Sequence, residues 1–306
     1  MGALWGAVVG DALGVPVEFS SREERRRDPV VGVRGFGTWN QPPGTWSDDS
    51  SLLLATVESL LEGYDLEHMG KAFAGWLHEG KWRPHGRVFD IGGTTRHAID
   101  AIYFGTPAEE AGQTSEQSNG NGSLMRILPI GLAFWSSCGD EICEAAERAS
   151  SLTHGHAWSR MACAYYCLLA RRLFRGEDKF SAVGATTDEF VAHYKQTPFA
   201  EHLSQFDFLI NESISTCNET KIDSSGFVLS TLNASVWCLL RETSYSATVL
   251  RAINLGGDTD TTACVVGGLA GLIYGRDGIP EEWFHELARK RDLAVLFSQF
   301  ASVVLD

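Results

Sequence analysis

The sequence is short of positive charge and of long apolar runs. Its 25 Lys and Arg residues stand against 39 Asp and Glu residues, which leaves a formal net charge of −14. Because like charges repel over roughly 10 Å, neither stable nucleic-acid binding nor attachment to an anionic membrane is expected. No apolar stretch approaches the roughly 20 residues that a membrane span needs, and residues 1–5 lack the basic flank of a signal peptide.

Cysteine pairs with zinc-ligand spacing are missing as well. The seven cysteines are an odd number, and none follows the Cys-x-x-Cys pattern. Most lie within apolar helical patterns, which indicates unpaired core thiols in a reducing, cytoplasmic compartment. The acidic composition favours a cationic cofactor, and we expect the protein to be a monomer.

Alternating strand patterns, tandem repeats and low-complexity tails are also lacking, and helical periodicity dominates the chain. We therefore predict an all-α fold, a single compact orthogonal helical domain over residues 1–306. A run opened by residues 89–96 should continue as a helix to about 103, and another helix should end near 135. Further helices are predicted over residues 3–14, 49–62, 66–78, 157–175, 187–195, 200–212, 226–241, 245–252, 262–274 and 281–292.

Three glycines, Gly6, Gly10 and Gly14, share one face of the first predicted helix. A glycine in a helix interior costs about 1 kcal/mol relative to alanine. We therefore expect this face to lie in close contact with another part of the backbone.

Two acidic motifs lie far apart in the chain, and each leads into an apolar helix. Residues 44–50 contain Asp48 and Asp49 beside hydroxyl groups, and residues 252–263 contain Asp258 and Asp260 after a glycine pair. Each motif alone is typical of a helix cap. Packing both together without cations would be electrostatically costly, so the pair predicts a shared metal site at helix N-termini.

The donor chemistry selects the metal. Carboxylate and hydroxyl oxygens without Cys or His favour Mg²⁺ or Mn²⁺ over Zn²⁺, and four carboxylates are enough to hold two ions. An EF-hand is excluded because Leu269 occupies the position of its last ligand, and Leu52 breaks the Asp-Asp-x-x-Asp pattern of prenyl-transfer enzymes. The Asp-x-Asp-x-Thr pattern of aspartyl-phosphate phosphatases is matched at 258–262, but without their strand context.

Three further stretches could carry chemistry. The turn around Asn121, Gly122 and Ser123 could hold an oxyanion with backbone N–H groups, although most such turns are structural. His154 follows a polar turn, where capping or packing is the alternative to ligand binding. Asp90 precedes a glycine pair at a helix start, where it would otherwise be an N-cap.

Taken together, these motifs resemble the ADP-ribosylglycohydrolase family, which includes the dinitrogenase-reductase-activating glycohydrolases. The resemblance runs in the family's order across nearly the whole chain. The matching stretches are residues 10–14 with Glu18, 44–49, 89–95, 120–126, 151–154, 226–238 and 253–263.

The resemblance implies an all-α fold with two Mg²⁺ or Mn²⁺ ions and hydrolysis of the bond that joins ADP-ribose to a modified protein or another acceptor. By motif, the implied metal ligands are Ser47, Asp48, Asp49, Asp258, Asp260 and Thr261. The implied substrate-binding residues are Asn121, Gly122, Ser123, His154, Gly256 and Gly257. Glu18, Asp49 and Asp90 are the candidates for catalytic proton transfer.

The resemblance leaves the linkage open. The Asp90-Ile91-Gly92 element is similar to that of arginine-directed members, and a carboxylate can pair with a guanidinium in a bidentate manner. We therefore expect an N-glycosidic linkage to protein arginine. The alternatives are a serine, nucleobase or small-molecule linkage, a metal-dependent phosphatase, or a non-catalytic ADP-ribose-binding protein on the same fold.

Overall fold

The computed structural model describes residues 1–211 and 214–305, and within these ranges the chain is helical, with two isolated β-bridges and no strand. The α-helices are α1 (Gly2–Gly14), α2 (Arg22–Arg27), α3 (Asp48–Leu60), α4 (Leu66–Ala74), α5 (Gly93–Tyr103), α6 (Leu128–Ala133), α7 (Gly139–Ser151), α8 (Ala157–Phe174), α9 (Lys179–Tyr194), α10 (Asp207–Ile210), α11 (Val228–Arg241), α12 (Tyr245–Asn254), α13 (Thr259–Tyr274), α14 (Glu281–His285) and α15 (Lys290–Leu305). Their buried apolar side chains form one contiguous core. Among the described residues, no helix combines the length and the hydropathy that a membrane span requires.

Helices α1 and α13 form the centre of this core, and glycines let their backbones touch. A Cβ atom added to Gly10 would lie 2.1 Å from the carbonyl oxygen of Ala263, and one added to Gly6 would lie 2.2 Å from that of Gly267. A Cβ atom on Gly14 would lie 2.3 Å from the Cα of Asp260. The close contact predicted for the glycine face of α1 is thus confirmed, and it places the start of α13 against the end of α1.

We expect Gly10→Ala to lower the free energy of unfolding by about 3 kcal/mol, because the methyl group meets a backbone carbonyl that cannot move aside. Gly184→Ala is the matched control: it lies in α9 with no atom within 4 Å of the added methyl group. That control should be neutral or stabilising by up to about 1 kcal/mol. Urea unfolding of both variants measures the difference, and equal midpoints would contradict the assigned contact.

Most long predicted helices are confirmed, and the errors have physical causes. Helix α7 was not predicted, because its apolar face consists largely of small residues whose burial against α8 supplies the stability. Helix α15 was also not predicted. The helix expected over 281–292 is confirmed only for Glu281–His285, because the chain leaves the helix there and passes through the left-handed Arg289 before α15 begins at Lys290. Most of the helix predicted over 200–212 is 3₁₀ helix, which spans residues 198–206, followed by the short α10. Residue 212 of that prediction and residue 306 of the predicted domain lie outside the described residues. Helix α9 begins eight residues before its prediction.

Candidate functional site

The N-termini of α3, α5 and α13 converge on one cavity of about 280 Å³. Helix N-termini carry partial positive charge and unpaired N–H groups, which stabilise nearby anions. The residues that line the cavity are Glu18, Phe19, Asp48, Asp49, Asp90, Gly92, Gly93, Thr94, Thr95, Gln117, Gly120, Asn121, Gly122, Met125, His154, Gly226, Asp258 and Thr261.

A buried carboxylate behind the cavity anchors the start of α3. The backbone N–H groups of Ser47 and Ser50 donate to the Asp11 carboxylate, each at 3.0 Å. The Ser47 hydroxyl caps the helix by accepting from the Asp49 N–H at 3.1 Å. These bonds aim Asp48 and Asp49 at the cavity, whereas Ser47 lies behind them and outside its lining.

The second acidic motif meets the first at the start of α13. Asp258 occupies the N-cap position, and Asp260 in the first turn is fully buried. The Thr261 hydroxyl donates to Oδ1 of Asp49 at 3.3 Å. The structure therefore brings together the two motifs that are about 200 residues apart in sequence.

Two further carboxylates complete an acidic cluster. Carboxylate oxygens of Glu18, Asp90 and Asp260 lie within 4.8 Å of one another. Three buried oxygens of the cluster, Oδ2 of Asp49, Oδ1 of Asp258 and Oδ2 of Asp260, have no hydrogen-bond partner among the described residues. No Lys or Arg is among the lining residues of the described chain. Unpaired hard oxygen donors of this kind fit divalent cations such as Mg²⁺ or Mn²⁺.

The electrostatics of the cluster favour a bound cation. Burial, and then the charge of Asp90, raises the pKa of Glu18 to about 10, and burial raises the pKa of Asp90 to about 6. Burial followed by the neighbouring carboxylates raises the pKa values of Asp48, Asp49 and Asp260 well above their usual range. At neutral pH such a cluster holds either protons or positive ions.

Glu18 is a buried residue of the cavity lining and lies beside an aromatic wall. The indole Nε1–H of Trp39 donates to Oε2 of Glu18. The Trp39 ring lies 6.2 Å from that of Phe19 and 5.9 Å from that of Phe89. This wall restricts the approach of water to Glu18 from one side.

Asp90 is held in an unusual backbone conformation. Its φ is +54°, in the left-handed region, and Gly92 rather than Asp90 occupies the N-cap position of α5. The N-cap alternative for Asp90 is therefore wrong. The left-handed turn places its carboxylate in the cavity beside Glu18.

The opposite wall is built from the predicted oxyanion loop and His154. The Asn121 Nδ2 group donates to Oδ2 of Asp258 and to the Thr231 hydroxyl, both at 2.9 Å. Gly122 lies against His154, and both line the cavity. Ser123 is fully buried behind the loop and accepts from the Ser150 hydroxyl at 2.9 Å, so its side chain does not line the cavity.

Gly256 and Gly257 lie outside the cavity lining, where they shape a turn. Both have positive φ values, 72° and 74°. Gly257 accepts from the Phe19 N–H and donates to the Ser20 carbonyl, both at 2.7 Å. These bonds place Glu18 next to the start of α13, so the turn positions carboxylates of the cluster. The two glycines themselves contact backbone atoms of residues 20–22 and 224 and do not line the cavity.

Sequence reasoning gave no role to Asp11, Trp39 and Thr95. Asp11 lies inside a matched motif, and a carboxylate in an otherwise apolar helix was a usable signal. Thr95 follows a glycine pair at the start of α5, also within a matched stretch. Trp39 had no signal, since only the folded loop brings its indole to Glu18.

Comparisons with known proteins give the family. A sequence model described as ADP-ribosylglycohydrolase matches residues 1–305. The ADP-ribosylarginine hydrolase Tri1 of Serratia proteamaculans is 29% identical over 301 residues, which cover 97% of this chain and 77% of that protein. The ADP-ribosyl-[dinitrogen reductase] glycohydrolase of Rhodospirillum rubrum is 29% identical over 295 residues, which cover 95% and 90%.

Similarity to a solved structure supports the same family. The structure described as an ADP-ribosylglycohydrolase-related protein complex superposes with a TM-score of 0.83 at 30% identity, covering 99% of this chain and 96% of the other. The cavity carries the two acidic motifs on which the resemblance in sequence depended. With a family model that spans all but the last residue, the chain belongs to the ADP-ribosylglycohydrolase family.

Proposed function

We propose that this protein is a metal-dependent hydrolase that releases ADP-ribose from ADP-ribosylated protein, with the N-glycosidic linkage to arginine as its substrate. The observation that carries the proposal is the convergence of three members of the acidic cluster, Glu18, Asp90 and Asp260, whose carboxylate oxygens lie within 4.8 Å of one another. Glu18 and Asp90 line the cavity, and Asp260 is fully buried next to them. The names of two relatives, an ADP-ribosylarginine hydrolase and an ADP-ribosyl-[dinitrogen reductase] glycohydrolase, support the substrate class.

The cluster is suited to two divalent cations. We propose Asp48, Asp49, Asp258, Asp260 and Thr261 as ligands, because their oxygens lie at the two meeting helix starts and three of the carboxylate oxygens are buried without a partner among the described residues. Ser47 remains a candidate, although its hydroxyl already caps α3. When bound, Mg²⁺ or Mn²⁺ would supply Lewis acidity, which lowers the pKa of water and orients hydroxyl groups.

The chain's own carboxylates can move the protons of the reaction. In hydrolysis the oxygen of water bonds to the anomeric carbon while the bond from that carbon to the guanidine nitrogen breaks. One proton of the water passes to a carboxylate base, and the leaving nitrogen receives a proton from a carboxylic acid. Without bound cations, Glu18, whose pKa is raised to about 10, holds a proton at neutral pH, whereas Asp90, with a pKa of about 6, is mostly ionised there, so Glu18 is the carboxyl of this pair that keeps its proton longest. The two carboxyls can therefore have different tasks: Glu18 can donate the proton to the leaving nitrogen, and the ionised Asp90 can pair with the guanidinium.

The opposite wall would hold the ADP-ribose moiety. Asn121 is oriented by its bonds to Asp258 and Thr231, and Gly122 leaves room beside His154. The N-terminus of α5 offers backbone N–H groups to the same cavity. Such groups bind phosphate oxygens without a basic side chain.

The preference for arginine rests on Asp90. A guanidinium is a planar set of N–H donors that a carboxylate can pair in a bidentate manner. Asp90→Asn keeps the left-handed backbone, which Asn also tolerates, and removes the charge. We expect this variant to fold normally and to lose roughly 10- to 100-fold in kcat/KM on arginine-linked ADP-ribose, and much less on serine-linked ADP-ribose.

Release of free ADP-ribose from arginine-, serine- and nucleobase-linked substrates is the measurement. Wild-type protein that cleaves only the serine or nucleobase linkage would contradict the arginine assignment. If Asp90→Asn loses the same factor in kcat/KM on the arginine and serine linkages and also binds Mn²⁺ more weakly, Asp90 is a metal ligand instead. Absence of release from every substrate would favour a non-catalytic ADP-ribose-binding protein.

A further inference from the structure

Arg126 is a charged side chain in the core with no carboxylate partner among the described residues. It is fully buried, and its guanidinium carbon lies 4.5 Å from the centre of the Phe73 ring. Its Nε and Nη1 atoms have no hydrogen-bond partner in the described chain. Only Nη2 makes hydrogen bonds, to the Ala149 carbonyl at 3.1 Å and to the Thr153 hydroxyl at 2.9 Å. An isolated buried charge is costly, so its position needs an explanation.

The Thr153 hydroxyl links Arg126 to the wall of the cavity. Thr153 is fully buried, and its Oγ1 lies 2.9 Å from Nδ1 of His154. The other ring nitrogen of His154, Nε2, lies on the side of Gly120 and Gly122 and makes no hydrogen bond to a described residue. Arg126, Thr153 and His154 thus form a chain of hydrogen bonds that leads from the core to the cavity.

The direction of these hydrogen bonds follows from the chemistry of their donors. A guanidinium only donates, so Thr153 accepts from Arg126 and has its own proton left to give. Nδ1 of His154 is the acceptor available for that proton. If Nδ1 carried a proton instead, the fully buried Thr153 hydroxyl would lack an acceptor among the described residues, at the cost of an unsatisfied donor. Nδ1 is therefore unprotonated, and in a neutral imidazole the proton lies on Nε2.

We propose that Arg126 and Thr153 are positioning residues that hold His154 as the neutral Nε2–H tautomer, so that it presents an N–H donor to the cavity. The identity of the ligand rests on the proposed function: the Nε2–H group donates to a phosphate or ribose oxygen of ADP-ribose. His154 in this state binds an oxygen and does not take up a proton. Its charge state agrees: burial, and then the charge of Arg126, lowers the pKa of His154 to about 3.

The first test measures the tautomer of His154 in the wild-type protein. Long-range ¹H–¹⁵N correlation spectra of the full-length, ligand-free protein at neutral pH report which ring nitrogen of each histidine carries the proton, and His154→Gln identifies the signals of His154 by their loss. We expect a protonated Nε2 and an unprotonated Nδ1. A protonated Nδ1, whether in the other tautomer or in an imidazolium, would overturn the proposal.

The second test separates positioning from packing. Thr153→Val keeps the shape of the side chain and removes the hydroxyl, so we expect the Nδ1–H tautomer of His154 to appear and the Kd for ADP-ribose to rise roughly 3- to 10-fold, the factor of one neutral hydrogen bond. Thr153→Ser restores the hydroxyl and should recover both the tautomer and the affinity. Weaker binding without a change of tautomer, or no change in either, would contradict the proposal.

The two tests also separate this proposal from the proposed function. The tautomer is measured without ligand, so it decides whether Thr153 sets the protonation of His154 whatever the substrate is. Wild-type protein that shows the Nε2–H tautomer and does not bind ADP-ribose would refute the proposed function and leave the positioning role standing.

Discussion

Asp260→Asn is expected to lower kcat/KM by roughly 10³-fold while the helical fold remains. Asp260 is fully buried at the start of α13, and one of its oxygens has no hydrogen-bond partner among the described residues. A neutral amide cannot replace a buried carboxylate that faces a cation, and breaking such a charge interaction costs about 3–5 kcal/mol. The readouts are release of ADP-ribose from an arginine-linked substrate and circular dichroism for the fold.

Binding of Mn²⁺ supplies an independent readout for this variant. Titration followed by electron paramagnetic resonance should show weaker binding in Asp260→Asn than in wild type. Asp188→Asn removes the same charge from an exposed position on α9 and should change neither property. Full activity of Asp260→Asn, or a loss of activity as large in Asp188→Asn, would disprove the assigned role.

Removal of the cations is expected to destabilise the protein. Without them, four aspartates at the two helix starts, together with Glu18 and Asp90, face one another with no basic side chain in the cavity lining. A ligand that binds only the folded state stabilises it by about 2.7 kcal/mol at one hundred times its Kd. For a protein of this size that corresponds to a fall in melting temperature of roughly 5 °C on treatment with a chelator. Adding Mg²⁺ or Mn²⁺ back should restore it.

The chelated protein should also lose stability as the pH rises. Glu18 and Asp90 have ordinary pKa values of 4.5 and 3.8, raised in the fold to about 10 and about 6. Between these values the folded state holds more protons than the unfolded state, so the free energy of unfolding falls with increasing pH. The contribution of Asp90 is lost from about pH 4 to 6, and that of Glu18 continues to fall towards pH 10.

Bound cations should weaken this pH dependence, because they occupy the place of the protons. Thermal melts at several pH values, with chelator and with Mn²⁺, test both statements. A melting temperature that does not respond to chelator at any pH would argue against a metal site in the cluster.

The parts of the site that were predictable are those encoded within one short segment. Asp48 and Asp49 at one helix start, and Asp258 and Asp260 at another, could be recognised because their type and spacing indicate a local structure. The close contact made by the glycine face of α1 was also predictable from the sequence, because the cost of glycine in a helix requires a compensating contact.

Other features depended on contacts between distant segments. The reciprocal bonds of Gly257 with residues 19 and 20 bring Glu18 to the start of α13, and no local pattern specifies that pairing. Arg22 lies in a run of charged residues, yet its guanidinium donates to the carbonyls of Leu255 and Ile222 and holds the same turn. Only the fold shows which members of a charged segment point inward.

The sequence by itself determined the helical fold, the family and the acidic motifs, because helical periodicity, helix starts and ligand types are properties of neighbouring residues. The tertiary structure decided which carboxylates face one another, that Asp90 enters the cavity through a left-handed turn, and that Arg126 reaches His154 through Thr153. Those outcomes depend on helices packed at backbone contact and on the burial that this packing produces. Burial and distance of this kind change pKa values and hydrogen-bond directions, and they exist only once the whole chain has folded.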